Sequence, residues 1–186
     1  MANHLPLLPV AGFLLALAPF AWAQSDVVET YDVRGTTYAQ IIASLNKNAP
    51  YVERTKRRHY GVTEIAFRQN ATYQTTPDGC ELLGNEIDLE LTMLLPVWLD
   101  RERATPAVAK RWDALRADIE AHEERHAQIA RDYLARMRRQ LDRPAVAEDC
   151  ETLLSELRTR TDAMMGEHRD AQDAFDALTL SAERRP

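Results

Sequence analysis

The sequence predicts an α+β fold: a small antiparallel sheet or hairpin with a short helix, packed on a long C-terminal antiparallel helical hairpin. Three observations predict it. Between residues 61 and 95 the chain is rich in β-branched and aromatic residues and alternates apolar with polar positions. From Pro106 to Pro144 no Pro or Gly interrupts a helical pattern. A second helical stretch runs from Asp149 to about Leu180 and contains a single glycine, Gly166. The 186 residues suit one domain.

The first 23 residues stand apart. Residues 5–23 carry no Asp, Glu, Lys or Arg and end in Ala21-Trp22-Ala23, before the polar Gln24-Ser25-Asp26. This is the pattern of a secretory signal peptide cut after Ala23, although its start lacks the usual Lys or Arg. Pro6, Pro9 and Pro19 shorten any continuous helix below the roughly 20 residues that span a bilayer, which disfavours an anchor. The expected mature chain is therefore a single domain, residues 24–186, periplasmic or secreted, with no stable membrane insertion after cleavage.

Residues 27–33 read as a short strand. Residues 37–48 read as a helix with Tyr38, Ile41, Ile42 and Leu45 on one side and Thr36 or Thr37 as cap. Residues 61–75 and 80–95 read as two strands around Thr76-Pro77-Asp78-Gly79, where Pro sets φ and Gly accepts a positive φ. In the second strand Ile87, Leu89, Leu91 and Met93 alternate with Asp88, Glu90 and Thr92. Leu95-Pro96-Val97-Trp98 closes it, and Thr105-Pro106 opens the first long helix, Pro being tolerated in a first turn.

Composition narrows the function. A net charge of −6 argues against nucleic acid as a partner, because phosphate binding needs a basic face. The cationic group Arg136, Arg138, Arg139 and Arg143 sits at a helix C-terminal end, where it suits the helix dipole. Cys80 and Cys150 are the two cysteines; in an oxidising compartment such a pair favours a disulfide, against two separate thiols or a metal site without CxxC spacing. Closing so long a loop adds roughly 4 kcal/mol in the chain-entropy view.

The chemistry is carried by His122-Glu123-Glu124-Arg125-His126, an HExxH sequence. Spacing of i, i+4 on a helix puts both imidazoles on one face, close enough to share a cation, with Glu123 beside them. Trp112, Leu115, Ile119, His122, His126, Ile129, Tyr133 and Met137 follow one another at helical steps of three and four, so the histidines fall on the apolar stripe. Paired histidines buried without a metal need several polar partners. The last helix has its own stripe, Leu154, Leu157, Thr161, Met164, His168, Ala171, Phe175 and Leu178. Reflection about a turn near Pro144 and Ala145 sets Glu124 opposite about residue 166 and brings His168 within a turn of the pair. His168 is thus the expected third ligand, with Glu167, Asp170, Asp173 and Asp176 as fallbacks. Three protein ligands leave one tetrahedral position open, the mark of a catalytic zinc site.

At these residues the chain resembles a bacterial domain-of-unknown-function family described as predicted secreted zinc-dependent proteases. The likeness covers most of the mature chain. It rests on Tyr31-Asp32-Val33-Arg34-Gly35-Thr36, Gly61-Val62-Thr63, the Cys80 hairpin ending in Leu95-Pro96-Val97-Trp98, Trp112 leading into the HExxH helix, and Phe175-Asp176-Ala177-Leu178-Thr179. After the last segment the family usually continues with His-Gly, where this chain has Leu180-Ser181-Ala182. The resemblance implies zinc-dependent peptidase chemistry on a peptide or protein substrate. Glu123 is then the general base, Zn2+ the cofactor, and His122, His126 and His168 the ligands. Tyr60, His59 and Tyr133 are the candidates to stabilise an oxyanion. The alternative from another class is a non-catalytic periplasmic zinc-binding or interaction protein, in which the metal only braces the helices.

Overall fold

The structure is a computed structural model, and it describes residues 25–141, 143 and 145–183. The expected signal peptide, residues 1–23, lies outside the described residues. The α+β class holds. A four-stranded sheet is covered on one face by two long helices, with a short helix and a two-stranded hairpin at one end.

Strand β1 (Ser25–Val33) leads into helix α1 (Tyr38–Asn48), then a small hairpin, β2 (Tyr51–Val52) and β3 (Arg57–Arg58). The long strands β4 (Val62–Thr76) and β5 (Gly79–Trp98) follow, antiparallel as predicted, around a turn in which Gly79 takes a φ of 135°. Beyond a 3₁₀ turn come α2 (Pro106–Leu141), the short strand β6 (Val146–Ala147) and α3 (Cys150–Glu183). The sheet order is β1-β5-β4, with β6 on the start of β5.

The sheet departs from the expectation in being mixed: β1 runs parallel to the second half of β5, from Ser25 opposite Glu90 to Val33 opposite Trp98. Connectivity dictates this. Strand β1 ends, and β4 begins, at the same end of the sheet, so these two run in opposite directions. Strand β5 lies between them and must be parallel to one and antiparallel to the other.

A bulge keeps β5 facing one way. Thr72 pairs with Gly84 and Tyr73 with Leu82, leaving Leu83 as the extra residue, exposed on the strand. Side chains alternate along a strand, so one added residue swaps the faces of everything beyond it. Cys80 and Leu82, at even positions, therefore share the core face with Ile87, Leu89 and Leu91, at odd ones.

Two cores result. The larger joins those β5 residues to Ala127, Ala130, Leu134, Met137 and Leu141 of α2 and to Leu153, Leu157 and Met164 of α3. The smaller gathers Val33, Ile41, Leu45, Trp98 and Trp112. Around it lie the residues that carry the family likeness near the start of the chain. Tyr31 Oη donates to the Tyr60 carbonyl at 2.8 Å, and Trp98 Nε1 to the Gly35 carbonyl at 2.8 Å. The smaller core thus anchors the chain where it enters β4, at Gly61.

The cysteines form a disulfide that joins the first residue pairs of β5 to the first residue of α3. It marks where α3 begins along the sheet. Helix α2 ends where the Leu141 carbonyl accepts from Asn85 Nδ2 at 3.2 Å, whereas α3 begins at Cys80, five residues nearer the hairpin tip. With Leu83 bulged out, that span advances four pairing positions, so at ~3.3 Å each the start of α3 overhangs the end of α2 by about 13 Å, roughly two and a half turns of helix. The connecting segment runs out with β5, where β6 pairs with Cys80 and Glu81. No helix among the described residues is long and apolar enough to cross a membrane.

Candidate metal centre

His122 and His126 lie on α2 one turn apart and face α3, as their spacing predicts. Their Nε2 atoms are 3.1 Å apart. The third corner is Asp176 of α3, whose Oδ1 is 2.9 Å from His126 Nε2 and 3.3 Å from His122 Nε2. Two imidazole nitrogens and a carboxylate oxygen form the ordinary donor set for zinc, and ligands on a tetrahedral zinc at 2.0–2.1 Å stand about 3.3 Å from one another. The triangle therefore fits such an ion with small adjustments of its side chains. Phe175 supports it, its ring centroid 4.8 Å from that of His122 and 5.0 Å from that of His126.

His168, the expected third ligand, is not at this triangle. It is buried, with its ring edge-on to Phe67 and Tyr133, and it reaches His126 only through Gln172. The overhang of α3 is the reason. His122 and His126 both meet Asp176, so the residue between them, Glu124, stands opposite about residue 176 rather than 166. His168 is carried past the histidine pair to the level of Tyr133. Asp176 was among the fallbacks; Glu167, Asp170 and Asp173 stay exposed, with Glu167 paired to Arg136 and Asp173 to Arg54.

The apolar stripe of α2 also differs by a fraction of a turn. The most buried residue of the motif is Glu123, 5% exposed, while the histidines flank the core and open on a cleft. Gly61 explains how a glutamate comes to lie there. A Cβ on Gly61 would stand 2.6 Å from Glu123 Cγ and 2.7 Å from Oε1, so only glycine lets β4 start so close to α2. Two residues on, Thr63 Oγ1 contacts Glu123 Oε2 at 2.9 Å and its carbonyl at 3.1 Å. Sequence reading singled out Gly61-Val62-Thr63 without a role; its role is to seat Glu123.

The charges follow from these contacts. Burial raises the pKa of Glu123 above its ordinary 4.5, although the Thr63 hydroxyl, His126 and His122 pull the other way. Burial works against protonated His126, yet its bonds to Asp176 and Gln172 outweigh that and hold its pKa above 6.5. Burial likewise opposes ionisation of Asp176, but the two histidines hold it well below the carboxylate range.

The cleft has a volume of about 270 Å³. Its walls are Val52, Arg54, Thr55 and His59 from the small hairpin, the start of β4, and the facing sides of α2 and α3. Of the three candidates for an oxyanion, Tyr60 Oη is bonded to Asn46 Oδ1 and Tyr133 Oη to the Glu167 carbonyl, while His59 lines the cleft with its Nε2 2.7 Å from Thr55 Oγ1. Burial, and next the charge of Arg57, lowers the pKa of His59 below 6.5, so the ring is neutral near pH 7.

Fold and site together define an α+β protein whose HExxH helix is completed by a carboxylate from a second long helix. Residues 28–182 match the family described as bacterial protein of unknown function (DUF922), and the chain belongs to that family. No curated protein and no solved structure matches it.

Proposed function

We propose that this protein is an exported zinc-dependent peptidase, with His122, His126 and Asp176 as its ligands and Glu123 as its general base. The observation that carries the reading is the triangle of ligand atoms with sides of 2.9–3.3 Å, set beside a buried glutamate on an open cleft. When bound there, zinc supplies Lewis-acid polarisation of a carbonyl and makes a water more acidic.

The remaining work falls to the chain. Glu123, with its pKa raised by burial and one oxygen held by Thr63, takes a proton from the attacking water and returns it to the leaving amine. His59 lines the same cleft and is the remaining candidate to stabilise the oxyanion. Strand β4 is an edge strand along the cleft, with Val62, Thr63 and Ile65 in its wall. Its outer side has no partner strand among the described residues, so an extended peptide can lie along it as an added strand. The disulfide supports export to an oxidising compartment, periplasmic or secreted.

A second reading, a zinc-braced module without turnover, is favoured by Arg54. It pairs with Asp173 across the cleft and lies 3.9 Å from Asp176 Oδ2. One experiment separates the readings. Metal content and release of new amino termini from a denatured protein are measured for the wild type and Glu123→Ala. A peptidase keeps stoichiometric zinc in both and loses turnover in the variant; a wild type with no zinc, or a variant with undiminished turnover, refutes the proposal.

A further inference from the structure

We infer that Gln172, held in turn by His168, is a positioning residue that fixes His126 in its metal-binding tautomer; the inference rests on the metal-site reading above. The hydrogen bonds decide the protons without ambiguity, because one partner is a carbonyl. Gln172 Nε2 lies 3.1 Å from the backbone oxygen of His126, which can only accept, so the amide nitrogen faces it. The amide oxygen then faces His126 Nδ1 at 2.6 Å, and that nitrogen must carry a proton. Nε2, at the triangle with His122 and Asp176, is left as the nitrogen that binds a metal. A histidine ligand whose other nitrogen is held by an acceptor keeps both its tautomer and its ring orientation.

The same amide reaches His168. Gln172 Nε2 is 2.9 Å from His168 Nε2, which accepts, so His168 carries its proton on Nδ1. That Nδ1 is buried and has no hydrogen-bond partner among the described residues. An unpaired buried donor costs stability, and an apolar side chain of similar size would avoid the cost. The ring earns its place through its other nitrogen: it takes up the second amide hydrogen and stops Gln172 from turning over. Both residues are more than nine-tenths buried at the floor of the cleft, which leaves solvent little access to these bonds.

The test compares wild type, Gln172→Leu, Gln172→Glu, His168→Leu and the double variant Gln172→Leu/His168→Leu, each as purified disulfide-bonded protein. Zinc affinity is measured by chelator competition, the visible spectrum after Co2+ substitution, and melting of the metal-free form. Gln172→Leu should weaken zinc binding about 10- to 100-fold, the range for outer-shell partners of metal ligands. Gln172→Glu keeps an acceptor for Nδ1 and should restore most of the affinity. His168→Leu should weaken binding by a smaller factor, leave the Co2+ spectrum tetrahedral, and leave melting of the metal-free form unchanged or raised. The double variant should bind no more weakly than Gln172→Leu alone. Wild-type affinity in His168→Leu, effects that multiply in the double variant, or a Co2+ spectrum showing a lost ligand would each overturn the inference while the metal site stands. A wild type that takes up no zinc removes the underlying reading as well. Should His168→Leu fail to fold, His168→Phe carries the same comparison.

Discussion

Glu123 shows how one side chain depends on a neighbour that has none. Its carboxylate fits against β4 only because Gly61 lacks a Cβ, and an added methyl would meet both Cγ and Oε1. Gly61→Ala is expected to destabilise the protein by about 1–3 kcal/mol, the usual cost of overpacking, and to move Glu123, the proposed general base. Denaturant unfolding reads the first effect and peptide turnover the second; an Ala variant as stable and active as wild type would contradict this seating. The histidines permit a pH prediction. Without metal, His126 holds its proton above the ordinary 6.5, so the bond to Asp176 stabilises the fold at low pH. That contribution is fully present below the unfolded value and is lost as pH rises through the folded one. Zinc must displace the same proton, so its affinity should climb between about pH 6 and pH 8 with release of protons, measurable by titration in buffers of different ionisation enthalpy. Affinity independent of pH over that window would exclude His126 as a ligand.

Two devices shape the elements. Thr37 caps α1 in a capping box, its hydroxyl accepting from Gln40 N at 3.3 Å while Gln40 Oε1 accepts from Thr37 N at 3.2 Å. Thr37→Ala should lower stability by about 1 kcal/mol, read from the unfolding midpoint. The bulge at Leu83 has larger consequences. Its deletion would leave Cys80 and Leu82 on the face opposite Ile87, Leu89 and Leu91, so the larger core and the disulfide could not form together. We expect the Leu83 deletion to lose cooperative unfolding by circular dichroism and to leave free thiols. Replacing Leu83 by Thr, which keeps the count of residues, should be tolerated, since the side chain is exposed.

At the scale of the molecule the disulfide does two things. It closes a loop of 70 residues, for which the chain-entropy view gives about 4 kcal/mol. It also holds the start of α3 beyond the end of α2, and that offset sets Gln172 and Asp176 against the histidine pair. Cys80→Ala/Cys150→Ala should therefore lower the melting temperature and weaken zinc binding together. Lower stability with zinc affinity unchanged would show that helix packing alone fixes the offset.

Several features were legible because they are local. Helical spacing of four residues places His122 and His126 together on any helix, and the turn at Gly79 and the alternation of β5 follow from φ preferences and the two-residue period of a strand. The pairing of Cys80 with Cys150 followed from the even number of cysteines and the expected export. Other features needed the fold. Strand β1 became parallel because β5 inserts between it and β4, a matter of the order in which strands assemble. Glu123 rather than the histidines turned inward because β4 approaches α2 at Gly61. Asp176 rather than His168 meets the histidine pair because reflection about a turn counts only the residues between two helices, not how far one slides along the other. That slide goes with the reach of the β6 segment and a covalent bond to a distant strand, neither of which has a period in the sequence. Local spacing thus determined which side chains can share a face, while the axial offset of α3, a long-range quantity, decided which of them meet.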